Sequence, residues 1–229
     1  MKNRKKIVVA IDGPAASGKS TTAKLVAQNL GYLHIDTGAM YRAITLRVLE
    51  EKVPLEAEQR IQEIAEQSNI RFEGGSGTQR VYLNGRDVTQ KIRTTNVTRT
   101  VSTVSSYQAV RDVLVREQRR IAADGGVVLE GRDIGSVVLP DAELKIFMVA
   151  NVAERARRRK KDLTLAGIDM DESELVKDII ERDKKDSTRA ASPLKKAGDA
   201  VELDTSNMTV EQQVEFIVKR AKDILNRNS

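Results

Sequence analysis

The sequence predicts an α/β protein, a parallel sheet covered by helices on both faces, with a small antiparallel segment inserted into it. Three observations predict this. Short β-branched runs alternate with segments of helical period along most of the 229 residues, the pattern of strand, helix, strand units. The run Ile7-Val8-Val9-Ala10-Ile11 is followed directly by Gly13-Pro14-Ala15-Ala16-Ser17-Gly18-Lys19-Ser20 and then Thr21, a glycine-rich loop between a buried strand and a helix. Between about residues 56 and 94 the pattern changes to short alternating strands, with Asn84-Gly85 as a hairpin turn.

Taken in order, Ile7–Ile11 is a strand buried on both faces, having no polar residue to show to water. Leu25, Val26 and Leu30 recur at helical spacing after the loop, and Gly31 ends that helix. Tyr32-Leu33-His34-Ile35 is a second strand, ending in the loop Asp36-Thr37-Gly38. A helix from about Met40 to Glu50 buries Ile44 and Val48, and Pro54 closes the connection. His34 is the single histidine, and in an apolar strand it reads as structural.

From Glu56 to Gln67 a helix places Ile61, Ile64 and Ala65 on one face. Three antiparallel strands follow at Ile70–Phe72, Arg80–Leu83 and Arg86–Val88, with Gly74-Gly75-Ser76-Gly77 between the first two. Two helices run from about Thr95 to Ser105 and from Gln108 to Ala123. The first is rich in Val and Thr, poor helix formers, and must be held by packing or by ligand. Val127-Val128-Leu129 is a buried strand leading into the loop Glu130–Gly135, and Leu144–Val149 is another. An arginine-rich helix, Val152 to about Leu165, carries Arg155, Arg157, Arg158 and Arg159 before Gly167 breaks it. The helix from Glu172 to about Asp186 turns Leu175, Ile179 and Ile180 inward. Val201–Leu203 is the last strand and Val210–Leu225 the last helix.

Composition excludes several classes. With no Cys there is neither a disulfide framework nor a thiolate metal site. The basic start Lys2, Arg4, Lys5, Lys6 precedes only five apolar residues before Asp12, too few for a signal core or a membrane span, so a cytoplasmic, unanchored protein is expected. The net charge of +6 raises nucleic acid as a partner, but aromatics are 3% and Trp is absent, which leaves little for base stacking. Small phosphorylated substrates call for the same excess of Arg and Lys.

The loop Gly13 to Ser20, with Thr21 after it, is a P-loop: glycines let backbone N–H groups turn toward phosphate oxygens, Lys19 reaches the terminal phosphates and the Ser20 hydroxyl is a Mg²⁺ ligand. The motif alone leaves open a phosphate donor, a motor fuel or a switch. A regulatory GTPase needs an Asn- or Thr-Lys-x-Asp element and an Asp-x-x-Gly switch, and the sequence has neither. A translocating ATPase needs an acidic pair after an apolar strand, where Val127-Val128-Leu129-Glu130 offers one carboxylate. A kinase for a small anionic acceptor needs further cations, and Arg42, Arg111, Arg132, Arg182 and Arg189 fall beside the ligand-end loops and late helices.

With Ile11–Ser20, Asp36-Thr37-Gly38-Ala39-Met40-Tyr41-Arg42, Gly131-Arg132-Asp133-Ile134-Gly135 and Glu181-Arg182-Asp183 leading to Asp186 and Arg189, the sequence resembles the bacterial cytidylate kinases over essentially its whole length. The resemblance implies a nucleoside monophosphate kinase-like three-layer sandwich with a five-stranded parallel sheet, an inserted CMP-binding subdomain at about 56–94 and a helical lid at about 152–170, all in one domain. It implies ATP as phosphate donor, Mg²⁺, and CMP and dCMP as acceptors, in a cytoplasmic monomer with no nucleic-acid or membrane partner. By the same resemblance Arg42 and Arg132 hold the CMP phosphate, with Asp36, Thr37, Gly38 and Tyr41 beside them. Ser102, Arg111 and Asp133 read the cytosine, and Arg182, Asp186 and Arg189 meet ribose and phosphates. Lys19, Arg132, Arg182 and Arg189 form the catalytic set, to which the lid arginines are not assigned. An aspartate can accept from the exocyclic amine of cytosine, which makes uracil the poorer base.

Overall fold

The computed structural model describes residues 6–73, 79–165, 167 and 169–227. The segment Gly74–Gly77 expected as a turn, and the basic residues Lys2, Arg4 and Lys5, lie outside the described residues. In chain order the elements are β1 Val8–Asp12, α1 Lys19–Leu30, β2 Leu33–Asp36, α2 Thr37–Glu50, α3 Glu58–Glu66, β3 Ile70–Glu73, β4 Arg80–Leu83, β5 Arg86–Asp87, α4 Thr95–Val104, α5 Gln108–Ala122, β6 Val127–Gly131, β7 Leu144–Val149, α6 Val152–Leu165, α7 Glu172–Thr188, β8 Val201–Asp204 and α8 Val210–Arg227, with a 3-10 turn at Lys91–Arg93 and a π-helical turn at Ile134–Val138. They form two compact units, one built from the chain up to His34 and from Gly125 onward, the other from Ile35–Asp124.

The first unit holds the parallel sheet, in the order β2-β6-β1-β7-β8. β1 pairs in parallel with both β6 and β7, and β7 with β8. Its central strands are apolar because both faces are covered: Ile7, Val9, Ala10, Ile11, Val128, Leu129 and Met148 have no exposed surface. On one face Ala23, Val26 and Ala27 of α1 join Val214, Ile217, Val218 and Ala221 of α8 over Val9, Ile11 and Ile146. Each large aliphatic residue so buried contributes about 1.5–3 kcal/mol. Gly31 ends α1 in the left-handed conformation, its N–H donating to Ala27 and Gln28 carbonyls. The register that sets Asp12 opposite Gly131 brings the carboxyl ends of β1 and β6 level, so the loops leaving them emerge side by side.

The second unit packs α2, α3, α4 and α5 with the antiparallel sheet β3-β4-β5. It contains the 56–94 segment together with α2 before it and α4 and α5 after it. Asn84 and Gly85 both have positive φ, 50° and 80°, as a two-residue hairpin that follows strand twist requires. α4 owes its helix to packing: Val97, Val101 and Val104 sit on one face, are at most 6% exposed, and join Ile44 and Val48 of α2 in the core.

Three expectations are corrected. Thr37 and Gly38 are not loop but the first turn of α2, because the Asp36 carboxylate caps the helix by accepting from the Ala39 N–H at 3.0 Å. Ile180 does not turn inward; it is 52% exposed while Leu175 and Ile179 are buried, since at 100° per residue the next position leaves the stripe that residues four apart share. The Glu130–Gly135 loop is shorter than expected, β6 running on through Gly131.

Candidate active site

In the sheet unit the site begins with Gly13, where a Cβ would lie 2.1 Å from the Met148 carbonyl oxygen and φ is +149°. Only glycine lets the loop leave β1 this close to β7. Ala16 and Gly18 also have positive φ, 58° and 93°, the alternation that turns successive N–H groups to one side. Lys19 opens α1 and folds back over the loop, its Nζ donating to the Pro14 carbonyl at 2.6 Å and to Ser17 Oγ at 3.2 Å. Burial, then the neighbouring Arg132 charge, pulls its pKa down to about 7.

Ser20 is exposed on α1, and its hydroxyl donates to Glu130 Oε2 at 2.7 Å. The other oxygen of Glu130 lies 3.0 Å from His34 Nε2. Asp12, at the end of β1, accepts from the N–H groups of Ile134 and Gly135 at 2.8 and 2.7 Å. Its two carboxylate oxygens thereby tie the β6 loop to the root of the P-loop. Burial raises the Asp12 pKa to about 6, against these two N–H bonds.

Past β6, Arg132 Nε donates to Asp186 Oδ2 of α7 at 2.8 Å, and Arg189 Nη2 lies 3.5 Å from Asp133 Oδ1. For Asp186 burial pushes upward, but the charges of Arg132, Arg182 and Arg189 prevail and hold its carboxyl below the ordinary range. Lys19, Arg132, Asp133, Arg182, Asp186 and Arg189, far apart in sequence, thus form one charged cluster beside the P-loop, and Ser20 reaches Lys19's neighbour Glu130. Thr21, by contrast, is exposed on α1.

In the second unit, Asp36 joins two predicted residues: while Oδ1 caps α2, Oδ2 accepts from Arg42 Nη2 at 2.6 Å. A Cβ on Gly38 would stand 3.1 Å from both Arg42 Nη1 and Asp36 Oδ1, so the smallest residue leaves this pair room. Arg111 is 1% exposed and sets its guanidinium 5.4 Å from the centroid of the Tyr41 ring. Ser102 is half-buried on α4. Arg42, Tyr41 and Arg111 therefore present fixed cations and an aromatic wall in one unit.

The model of the cytidylate kinase family matches residues 9–223. The cytidylate kinase of Bacillus cereus strain B4264 is 52% identical over 214 residues, 93% of this chain and 95% of the relative. The chain belongs to the cytidylate kinase family. The cytidylate kinase of Bacillus thuringiensis strain Al Hakam is similar to the same extent, 52% over 214 residues with the same coverage. A solved shikimate kinase from Bacteroides thetaiotaomicron aligns at 13% identity with a TM-score of 0.47, over 96% of this chain and 98% of that one.

Within this cytidylate kinase family member, sequence reasoning missed several residues that shape the loop. Arg155 is 5% exposed, pairs with Asp183 Oδ2 at 2.6 Å and donates to the Ala15 carbonyl at 3.3 Å. Arg158 donates to the Ser17 carbonyl at 3.1 Å and the Thr205 carbonyl at 2.7 Å. Arg157, by contrast, is exposed and bonds Glu154 of its own helix, whose carboxyl these arginines hold down to about 2. The i, i+3 spacing of Arg155 and Arg158 was the available signal, since such residues share a helix face. Asp12 carried one too, being a carboxylate at the end of an otherwise apolar strand next to the motif.

Proposed function

We propose that the protein transfers the terminal phosphoryl group of ATP to CMP and to dCMP, giving ADP with CDP or dCDP. The observation that carries this reading is the set of arginines gathered beside a P-loop lysine, in a chain of the cytidylate kinase family. A loop that only held a triphosphate would not need Arg132, Arg182 and Arg189 around it. Transfer between two polyanions does, to offset their repulsion and to follow charge onto the moving group.

Gly13–Thr21 hold the triphosphate, the backbone N–H groups of the loop and the start of α1 facing its oxygens. Lys19 spans the terminal phosphates, the anion replacing the Pro14 carbonyl as its partner. Arg42 and Arg132 take the CMP phosphate, beside Asp36, Thr37, Gly38 and Tyr41. Ser102, Arg111 and Asp133 read cytosine, and Arg182, Asp186 and Arg189 meet ribose and phosphates. A CMP phosphate oxygen is already nucleophilic, so no general base is required and catalysis is positioning and charge stabilisation. Helix α6 and the turn after it act as a lid that excludes water.

The residues also fit Mg²⁺. The exposed Ser20 hydroxyl stands beside the Glu130 carboxylate, both hard oxygen donors. Among the described residues no group of three His, Cys, Asp or Glu could hold a metal, which suits an ion arriving on the triphosphate. Ser20 would hold it, and bound there it would neutralise charge on the β- and γ-phosphates. No described helix is long and apolar enough to cross a membrane. We place the protein in the cytoplasm as a monomer, which a single sedimenting species of monomer mass would support and a dimer would refute.

The test mixes the protein with ATP, Mg²⁺ and each nucleoside monophosphate in turn and measures ADP. Turnover that depends on CMP or dCMP, with UMP weaker, is expected. ATP loss independent of any monophosphate, or stimulated by DNA, would overturn the reading.

A further inference from the structure

His34 is not needed by the roles assigned above, yet it is built into the same unit. It stands on β2 with its side chain 13% exposed, its Nε2 3.0 Å from Oε1 of Glu130, itself 4% exposed. The other carboxylate oxygen, Oε2, accepts the Ser20 hydroxyl at 2.7 Å. The final torsion of a glutamate side chain is broad, so one hydrogen bond alone does not fix where its oxygens point. A second, between the far oxygen and the His34 ring nitrogen, does, because turning the carboxylate then breaks that bond as well. A serine hydroxyl that donates its one proton to Oε2 keeps its oxygen lone pairs for another partner, and Ser20 is exposed.

We infer that His34 is a positioning residue for the metal-bearing triphosphate: through Glu130 it holds the Ser20 hydroxyl in the orientation in which its oxygen can ligate a divalent cation. This rests on the phosphoryl-transfer reading for its biological use, but not for its test. Outer-shell partners of this kind tune ligand orientation without touching the ion. His34 sits in an apolar strand, and a residue needed only to fill that place would be aliphatic. An imidazole placed 3.0 Å from a buried carboxylate holds that carboxylate in place, which an aliphatic residue cannot do.

The test measures ATP binding to the full chain by calorimetry, without acceptor, once with Mg²⁺ and once with EDTA. In His34→Ala the gain in affinity that Mg²⁺ brings should fall about tenfold, with binding in EDTA unchanged. The KM for MgATP should rise in step while the KM for CMP stays put. His34→Gln, whose amide nitrogen reaches as far as Nε2, should recover most of the gain. If His34→Ala does not fold, His34→Asn, too short to reach Glu130, supplies the loss arm. An undiminished Mg²⁺ gain, an equal loss in EDTA, or no recovery in His34→Gln would overturn the inference. A wild-type protein that phosphorylates no CMP would sink the catalytic reading instead, and the calorimetry would still judge the relay.

Discussion

Lys19→Met should make the protein more stable at low pH while removing most of its activity. Lys19 is 6% exposed, and its pKa falls from 10.5 to about 7, with burial the first cause and Arg132 the second. An amine whose folded pKa lies below its unfolded one binds fewer protons when folded, so stability rises with pH across the window between those values. Below about 7 the folded chain carries the whole penalty, roughly 5 kcal/mol for this shift. Above 10.5 it carries none. Methionine is similar in length, stays uncharged and removes the penalty. It also strands the Pro14 carbonyl and Ser17 Oγ, at about 1–1.5 kcal/mol each.

The net gain near pH 6 is about 2 kcal/mol, or about 4–8 °C in Tm for a chain of this size. By about pH 9.5 the penalty has shrunk to roughly 1.4 kcal/mol, below the value of the lost bonds, and the variant should be no more stable than the parent. Thermal melts at the two pH values measure both. ADP formation with CMP should meanwhile fall about a thousandfold, as when a transition-state donor is deleted. A Tm lowered at both pH values would refute the assignment of the lysine as a strained, buried charge. Near-normal turnover would refute its role in transfer.

Gly13→Ala should destabilise by more than about 3 kcal/mol, since its Cβ would meet the Met148 carbonyl at 2.1 Å; an unchanged urea midpoint would show that β7 can yield. Asp12→Asn offers one acceptor to two buried N–H groups, which costs about 1–3 kcal/mol, but it also removes an ionisation that the folded chain resists. Because the folded pKa of Asp12 is raised to about 6, wild-type stability falls as pH rises through the window from 3.8 to about 6. The variant should therefore lose little stability at about pH 8 while activity drops at least about tenfold as the β6 loop loses its tie; full activity would count against that tie. Arg42→Lys keeps charge but loses the planar fork, and should raise the KM for CMP by about 10- to 100-fold with ATP binding intact, as CMP titration would reveal; a KM for CMP unchanged in the variant would remove Arg42 from the phosphate site.

What could be read from the sequence is what local chemistry dictates. The P-loop, the apolar strand before it and the Asn84-Gly85 hairpin are each decided by neighbouring residues, and the structure has them where they were expected. The start of α2 was misplaced because the Asp36 cap competes with the loop reading of Asp-Thr-Gly, and only the bond to the Ala39 N–H settles it. The ties that shape the site are long-range. Asp12 meets Ile134 across 122 positions, and His34 meets Glu130 across 96. No spacing rule reaches that far, and a run of arginines on α6 cannot by itself show that Arg155 finds Asp183 while Arg157 stays in water.

Two arginine contacts explain how the P-loop keeps its shape before any phosphate arrives. In a trans peptide the N–H points opposite to the preceding C=O, and there is no cis peptide in the described chain. Arg155 draws the Ala15 carbonyl toward α6, so the Ala16 N–H faces away from it. Arg158, with the Thr205 hydroxyl, does the same to the Ser17 carbonyl, so the Gly18 N–H faces away. Burying the Arg155 guanidinium adds little to stability, since desolvation offsets most of the attraction. The return is that the orientation of two backbone N–H groups of the loop is set in advance, with less reorganisation left for ligand binding. The arginines of α6 thus act on the P-loop through the backbone carbonyls they hold, a positioning role that follows from this one set of contacts.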